Sequence, residues 1–402
     1  MMSGGRAQPY QAIAACRGCD HVAGTWDVVF EMEPMPLAGY FPGSIDEALQ
    51  APRFPLTWVR CEVCGLVQVL EDVDDALLYE QYRYGSSTVA GLVRHFESYA
   101  RFLADRYGEG QRTVLEIGCN DGVLLDRLPT AWERIGVDPS DIAGSRTGQT
   151  YRLINEPFDR QVVDDLDESG SVDVVTSSNA MAHFSRLREA IEAAHTVLKP
   201  GGEFFLEIHD LDATLATGQW DTVYHEHKVE WSERSLAVCM GLAGFEMVYL
   251  ERLPVHGGLM RAGFRKIANR SIEVAPSARE SFEGLRARYR DRMDSEPAIA
   301  LRSLRDRGAR LAAYGAAGRA NVWLNQMADL PFDWIVDDSA HRSGRWIPSV
   351  GTPIVPASRL DLEQPDACLI TAWNYAADIR AKHPGFKGRW LQTFVEDLNV
   401  AS

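Results

Sequence analysis

Positive charge, cysteine and long apolar runs are all scarce in this chain. Its 402 residues carry Lys+Arg 41 against Asp+Glu 57, a formal net charge of -16. A field of that sign repels polyanions and argues against a nucleic-acid partner, so an anionic small substrate needs a local cationic pocket. The longest apolar run, 236–245, is half the ~20 residues of a membrane-spanning helix, and no membrane partner is expected. The first ten residues hold one Arg and no apolar stretch. No secretory signal is read there, and a cytoplasmic location is expected. Seven cysteines are too few for a disulfide scaffold of this length. What remains, 46% hydrophobic and 24% charged residues, is an ordinary globular composition with length for two or three domains.

Three regions follow from the patterning. Residues 1–75 contain short extended runs around a Pro- and Gly-containing stretch at 33–43, and fit a β-rich module too small for a large core of its own. Residues 76–298 open with helical spacing at Leu92, Phe96, Tyr99 and Leu103. Strands then alternate with helices at 114–117, 135–138, 172–176 and 203–208. Runs at 245–253 and 260–267 flank His256-Gly257-Gly258 and read as an antiparallel hairpin, and charged linking helices fill 273–308. Residues 299–402 form a second alternating unit, with strands near 310–315, 334–337, 367–371 and 390–394.

Four cysteines form two knuckles, Cys16-Arg17-Gly18-Cys19 and Cys61-Glu62-Val63-Cys64, with 41 residues between them. Each knuckle offers two thiolates to one ion, and together they complete the closed four-cysteine shell of structural zinc. A redox role would need only one pair. At the first strand-to-helix turn stands Glu116-Ile117-Gly118-Cys119-Asn120-Asp121-Gly122, and Asp138 follows Gly118 by 20 positions, where a ribose diol is usually held. The turn lacks the third glycine of the dinucleotide fingerprint, which argues against a pyrophosphate cofactor. S-adenosylmethionine has no phosphate and carries an ammonium that Glu116 can meet. Asn179 and His183 lie beyond the fourth strand's carboxyl end. Tyr224-His225-Glu226-His227 gathers two imidazoles, a carboxylate and a phenol that can transfer protons and orient a carbonyl. Tyr84 falls in a hydroxyl-rich loop, and the turn from Tyr314 through Gly315 to Arg319 could cradle an anion at a helix start.

In this order and combination the motifs resemble the zinc-containing sugar C-methyltransferases of branched-chain deoxysugar synthesis, over nearly the whole chain. The quoted stretches include Tyr82-Arg83-Tyr84-Gly85-Ser86-Ser87, Val255-His256-Gly257-Gly258 and Ala372-Trp373-Asn374. The resemblance implies an α/β protein whose class I methyltransferase Rossmann-like sheet lies between an N-terminal zinc module and a C-terminal Rossmann-like domain. It implies methylation at carbon 3 of a nucleotide-linked 4-keto-6-deoxy sugar. Two departures stand out: Arg319 replaces the usual Lys, and 338–344 differ from the family's run. His209 is also unusual.

The expected cofactors are S-adenosylmethionine, held by Glu116, Gly118, Asn120, Asp121, Asp138 and Asn179, and structural zinc on Cys16, Cys19, Cys61 and Cys64. The expected catalytic group is His227, Tyr224, Glu226, Tyr84 and His183, with His227 the leading base and Tyr224 the other candidate. His256, Gly257, Tyr314, Gly315, Arg319 and Asn374 are expected to hold a nucleotide-diphosphate 4-keto sugar. A monomer is plausible. Two other readings are an O- or N-methyltransferase of small molecules on the same fold, which would not need the Tyr-Glu-His cluster, and a zinc-ribbon nucleic-acid-binding protein, which the charge opposes.

Overall fold

The computed structural model describes residues 9–79, 85–88, 90–166, 170–268 and 280–394. Its central sheet has seven strands in the spatial order Phe245–Leu253, Leu259–Lys266, Leu198–His209, Val172–Ser178, Thr113–Ile117, Glu133–Val137 and Arg152–Ile154. The last five run parallel, and the first two form the antiparallel hairpin at one edge. This is the strand order of a class I methyltransferase. The three-residue edge strand Arg152–Ile154 has no apolar run behind it and escaped the sequence reading.

Chain direction across the sheet reverses between Thr113–Ile117 and Val172–Ser178. Open α/β sheets bind ligands at the strand ends beside such a switch point. Helix Ala90–Tyr107 covers one face there, with Leu92, Phe96, Tyr99 and Leu103 buried at helical spacing against Val114, Val174 and Phe205.

The C-terminal unit is an all-parallel sheet, ordered Ile354–Pro356, Trp334–Asp337, Leu311–Tyr314, Ala367–Ile370 and Arg389–Gln392. Helices Glu283–Arg290 and Glu296–Asp306 precede it. Strand alternation divides its residues between two layers. Leu311 and Ala313 face the layer that also packs Tyr224, whereas Ala312 and Tyr314 face the opposite one.

The N-terminal segment closes only a small cluster of its own, around Leu37, Phe54, Val73 and Leu78. Its strands Asp27–Met35, Phe54–Arg60 and Val67–Val69 take a fourth, Val229–Glu230, from just after the Tyr224–His227 cluster. Phe30, Leu56 and Trp58 pack in one layer with Trp220, Leu285, Leu301 and Trp323. The two knuckles pack elsewhere, with Cys16, Cys61, Cys64 and Leu66 in the main apolar layer beside Trp231, Leu236 and Cys239. Among the described residues no helix is long and apolar enough to cross a membrane.

Candidate active site

Gly118 and Gly122 adopt φ +72° and +70°, as does Asn120 at +50°, so the turn after Thr113–Ile117 runs through left-handed backbone. A Cβ on Gly118 would overlap the Ala180 methyl, which fixes how closely this turn approaches the Asn179 loop. Asn179 is itself left-handed, at φ +57°. Three buried polar atoms on these turns have no hydrogen-bond partner: Glu116 Oε2, Asp121 Oδ1 and Asn179 Oδ1. Burial, with Asp138, Asp121 and Glu207 nearby, holds the Glu116 carboxyl well above the usual range. A cation entering here would find an uncompensated acidic cradle, which fits the charged end of S-adenosylmethionine.

Asp138 is already engaged. Its Oδ2 accepts the Asn120 N–H at 2.8 Å, and its Oδ1 accepts the Ser140 N–H at 2.8 Å and the Ser140 hydroxyl at 2.5 Å. The carboxylate therefore ties the glycine turn to the next strand while keeping a lone pair for a ribose hydroxyl. Ser86 and Ser87 N–H groups donate to Asn120 Oδ1 at 3.0 Å and to Asp121 Oδ2 at 2.9 Å, clamping the loop that follows Tyr84 over the same turn. Tyr84 itself lies outside the described residues.

The second cluster is held just beyond strand Leu198–His209. Tyr224 donates its hydroxyl to His227 Nε2 at 2.5 Å, because the ring's Nδ1–H donates to the Thr222 carbonyl at 3.1 Å. Burial, then His209, His183 and Arg319, push the His227 pKa well below that of a free imidazole. The His183 ring stands 5.4 Å from that of His227, and its Nδ1–H donates to the Glu226 carbonyl at 2.7 Å. Burial lowers its pKa as well. The His227 ring thus presents a neutral Nε2 to Tyr224. Glu226 uses Oε1 to accept the Gly39 N–H at 2.7 Å, while its buried Oε2 has no partner. It joins the N-terminal segment to the cluster as well as facing it.

The residues expected to hold substrate divide. Arg319 donates to Asp221 Oδ1 at 2.6 Å, to Gln219 Oε1 at 2.9 Å and to the His256 carbonyl at 3.0 Å, and its guanidinium lies 4.9 Å from the Trp373 ring. It acts first as a strut between the two Rossmann-like units. His256 (φ +54°) and Gly257 (φ +87°) form the turn it grips, and Gln219 donates to the Gly257 carbonyl at 2.7 Å. Gly315 lies against Ala372, and Asn374 is in the turn Trp373–Tyr375 beside it. Tyr314 corrects the sequence reading. Its ring belongs to the far layer of the C-terminal sheet, where it donates to Asp338 at 3.0 Å and meets His383 at 3.2 Å, because strand alternation turns it away from Tyr224.

The four thiols come together as the spacing predicts. Cys16 and Cys64 Sγ are 3.5 Å apart, Cys19 and Cys61 Sγ 3.6 Å, and all four lie within 4.8 Å of one another. A tetrahedron with ~2.3 Å Zn–S bonds has edges of ~3.8 Å, so the cage fits that ion. Both knuckles have the same build: Asp20 (φ +58°) and Gly65 (φ +79°) follow the second cysteine, and their N–H groups donate back to Cys16 and Cys61.

Lys228 was missed by the sequence reading. It is 1% exposed, with Nζ at 2.7 Å from Asp75, 3.1 Å from Asp72 and 2.6 Å from the Ser185 hydroxyl, while Arg17 of the first knuckle also holds Asp72 at 2.8 Å. A lone lysine beside a histidine cluster gives no sign in sequence that two distant carboxylates will bury it. His209 and Glu230 also reach the cluster: the His209 ring is 5.0 Å from that of His227, and Glu230 Oε1 is 3.7 Å from His227 Nδ1.

Residues 92–250 match a methyltransferase domain and residues 255–395 the C-methyltransferase C-terminal domain. The C-methyltransferase NovU of Streptomyces niveus is 27% identical over 387 residues, 91% of this chain and 91% of its own. The ubiquinone biosynthesis O-methyltransferase of Pseudomonas paraeruginosa is 27% identical over 110 residues, only 26% of this chain and 47% of its own. Among solved structures, the magnesium protoporphyrin IX methyltransferase of Synechocystis PCC 6803 with bound SAM is 14% identical at TM-score 0.34, over 44% of this chain and 80% of its own. The 1,6-didemethyltoxoflavin-N1-methyltransferase of Burkholderia thailandensis is 17% identical at TM-score 0.33, over 52% and 98%. Sheet order and domain matches define an S-adenosylmethionine-dependent methyltransferase of class I fold. Its C-terminal unit is similar to the C-methyltransferase C-terminal domain over residues 255–395.

If the acidic cradle holds the cofactor, Asp138→Ala removes a ribose acceptor and unties Asn120 at once. Charge-assisted hydrogen bonds contribute ~1.5–3 kcal/mol each. Calorimetry with S-adenosylhomocysteine should show affinity at least ~10-fold weaker. An unchanged dissociation constant would remove Asp138 from the site.

Proposed function

We propose that this C-methyltransferase moves the methyl group of S-adenosylmethionine to carbon 3 of a nucleotide-linked 4-keto-deoxysugar through an enolate, with structural zinc on Cys16, Cys19, Cys61 and Cys64. The observation that carries the reading is the Tyr224–His227 pair, a half-buried phenol donating to a buried neutral imidazole at 2.5 Å. Carbon alkylation next to a ketone needs both halves: a base for the C–H and a donor for the oxygen on which charge develops.

Phenol and imidazole occupy each other until the ketone arrives. Its oxygen then takes the Tyr224 hydrogen and frees Nε2 of His227 for the proton on carbon 3. S-adenosylmethionine supplies the electrophilic methyl group when bound, leaving S-adenosylhomocysteine. Glu116, Gly118, Asn120, Asp121, Asp138 and Asn179 would hold it. His183 and the free oxygen of Glu226 orient sugar hydroxyls, which affects rate through placement. His256, Gly257, Gly315, Arg319 and Asn374 would face the nucleotide from the C-terminal side.

A thermal-shift panel tests the substrate class. With S-adenosylhomocysteine present, 4-keto nucleotide sugars should raise Tm and their 4-hydroxy counterparts should not. Equal responses from both sets would defeat the sugar assignment while leaving the methyltransferase fold untouched.

A further inference from the structure

Glu230 has no place in the chemistry above, yet it is 1% exposed and neither carboxyl oxygen makes a hydrogen bond of normal geometry. A buried carboxyl without partners is costly unless something compensates it. The Arg319 guanidinium offsets part of its charge and Asp210 adds to it, and two imidazoles stand beside it. Donor atoms of His209, His227 and Glu230 all lie within 4.8 Å of one another. His227 Nδ1 is 3.7 Å from Glu230 Oε1 and 3.1 Å from the Thr222 carbonyl, and His209 Nδ1 is 3.3 Å from the Thr222 hydroxyl. Ligands at ~2.0–2.2 Å from one ion stand ~3.0–3.5 Å apart, so these separations need only small shifts to close on a cation.

We propose that His209, His227 and Glu230 form a second divalent-cation site, of the class that takes zinc or cobalt through two imidazoles and a carboxylate, and that filling it inhibits the enzyme. Thr222 is placed to add an oxygen donor. The inhibitory half rests on the reading of His227 as the base. An ion on Nδ1 takes that nitrogen's lone pair, the neutral ring's single hydrogen moves to Nε2, and no lone pair is left there for carbon 3. Glu230 gives up its carboxyl proton to solvent when it binds. The two metal sites differ in chemistry: four thiolates form a closed structural shell, whereas this one is a nitrogen and oxygen set with room for water.

The test uses whole enzyme whose cysteine site is filled with zinc. Titration with cobalt(II) should load one further equivalent per chain, with d–d absorption but no thiolate-to-metal charge-transfer band. His209→Asn and Glu230→Gln should each abolish that equivalent and keep the cysteine-bound zinc. Deuterium exchange at carbon 3 of a 4-keto nucleotide sugar should fall in proportion to loading. Should Glu230→Gln fail to fold, His209→Asn decides alone. A wild-type chain that takes no further equivalent, or variants that still take it, would overturn the site. Full loading with undiminished exchange would overturn the inhibition. Exchange absent even before cobalt is added would instead count against the catalytic reading, since the binding readout needs no substrate.

Discussion

His227→Asn should abolish exchange of the carbon 3 hydrogen of a 4-keto nucleotide sugar in heavy water with S-adenosylhomocysteine bound, while leaving sugar affinity nearly intact. Removing a positioned general base costs ~10²–10⁴-fold in rate. Asparagine keeps a donor close to the Nδ1 position, so the Thr222 carbonyl at 3.1 Å retains a partner and the loop its shape. What is lost is the basic Nε2 facing Tyr224. Tyr224→Phe keeps the base and removes the donor to the ketone, so exchange should slow without vanishing. Exchange that survives in His227→Asn and disappears in Tyr224→Phe would move the base to the phenol.

The pH dependence separates these roles further. A free imidazole loses its basic form as pH falls through ~6.5. Burial and the neighbouring His209, His183 and Arg319 place the His227 pKa well below that value, so the ring stays neutral through this interval. Exchange should therefore hold level from pH 8 down past 6.5 in wild type. A fall by half near 6.5 would mean that the base titrates as an exposed histidine does, and that the buried His227 is not the group at work.

Local pattern made most of this molecule legible. The strands at 114–117 and 172–176 are short β-rich runs, the two knuckles repeat one spacing, and the glycine turn sits where the sheet reverses, so each was readable from neighbours in sequence. Tyr314 was not, because its motif is a strand end whose two faces meet different layers. Arg319 looked like a free cation for an anion, and only the fold reveals Asp221 1% exposed beside it. Lys228 and Glu230 escaped for the same reason, and His209 stood out only as unusual. Their partners lie on other elements, and a buried charge cannot be told from a surface one until those elements pack. Even the N-terminal segment, read as a small module with a weak core, proved to share its layers with both Rossmann-like units.

That sharing sets the outcome of metal removal. Wild-type enzyme should contain about one tightly held zinc per chain, and Cys61→Ser should lose it together with the fold of the N-terminal segment. Structural zinc contributes ~10–16 kcal/mol in small metal-binding peptides, comparable with the ~5–15 kcal/mol that stabilises a whole domain. The damage should spread along one path. Arg17 sits between Cys16 and Cys19 and at 2.8 Å positions Asp72, one of the carboxylates that compensate the buried Lys228 beside His227. With Arg17 released, the segment carrying Tyr224 and His227 loses a support and strand Val229–Glu230 loses its sheet partner, Val67–Val69. Near-UV circular dichroism and limited proteolysis should report the unfolded segment, and carbon 3 exchange should be lost with it. The cofactor turn at Gly118 and Asp138 is tied instead to its neighbouring strands and to Ser86 and Ser87, so affinity for S-adenosylhomocysteine should stay within ~3-fold, about 0.6 kcal/mol. Protein that is free of metal yet melts at the normal temperature would refute the zinc assignment, and cofactor affinity falling as far as exchange would show that the knuckles support the whole sheet.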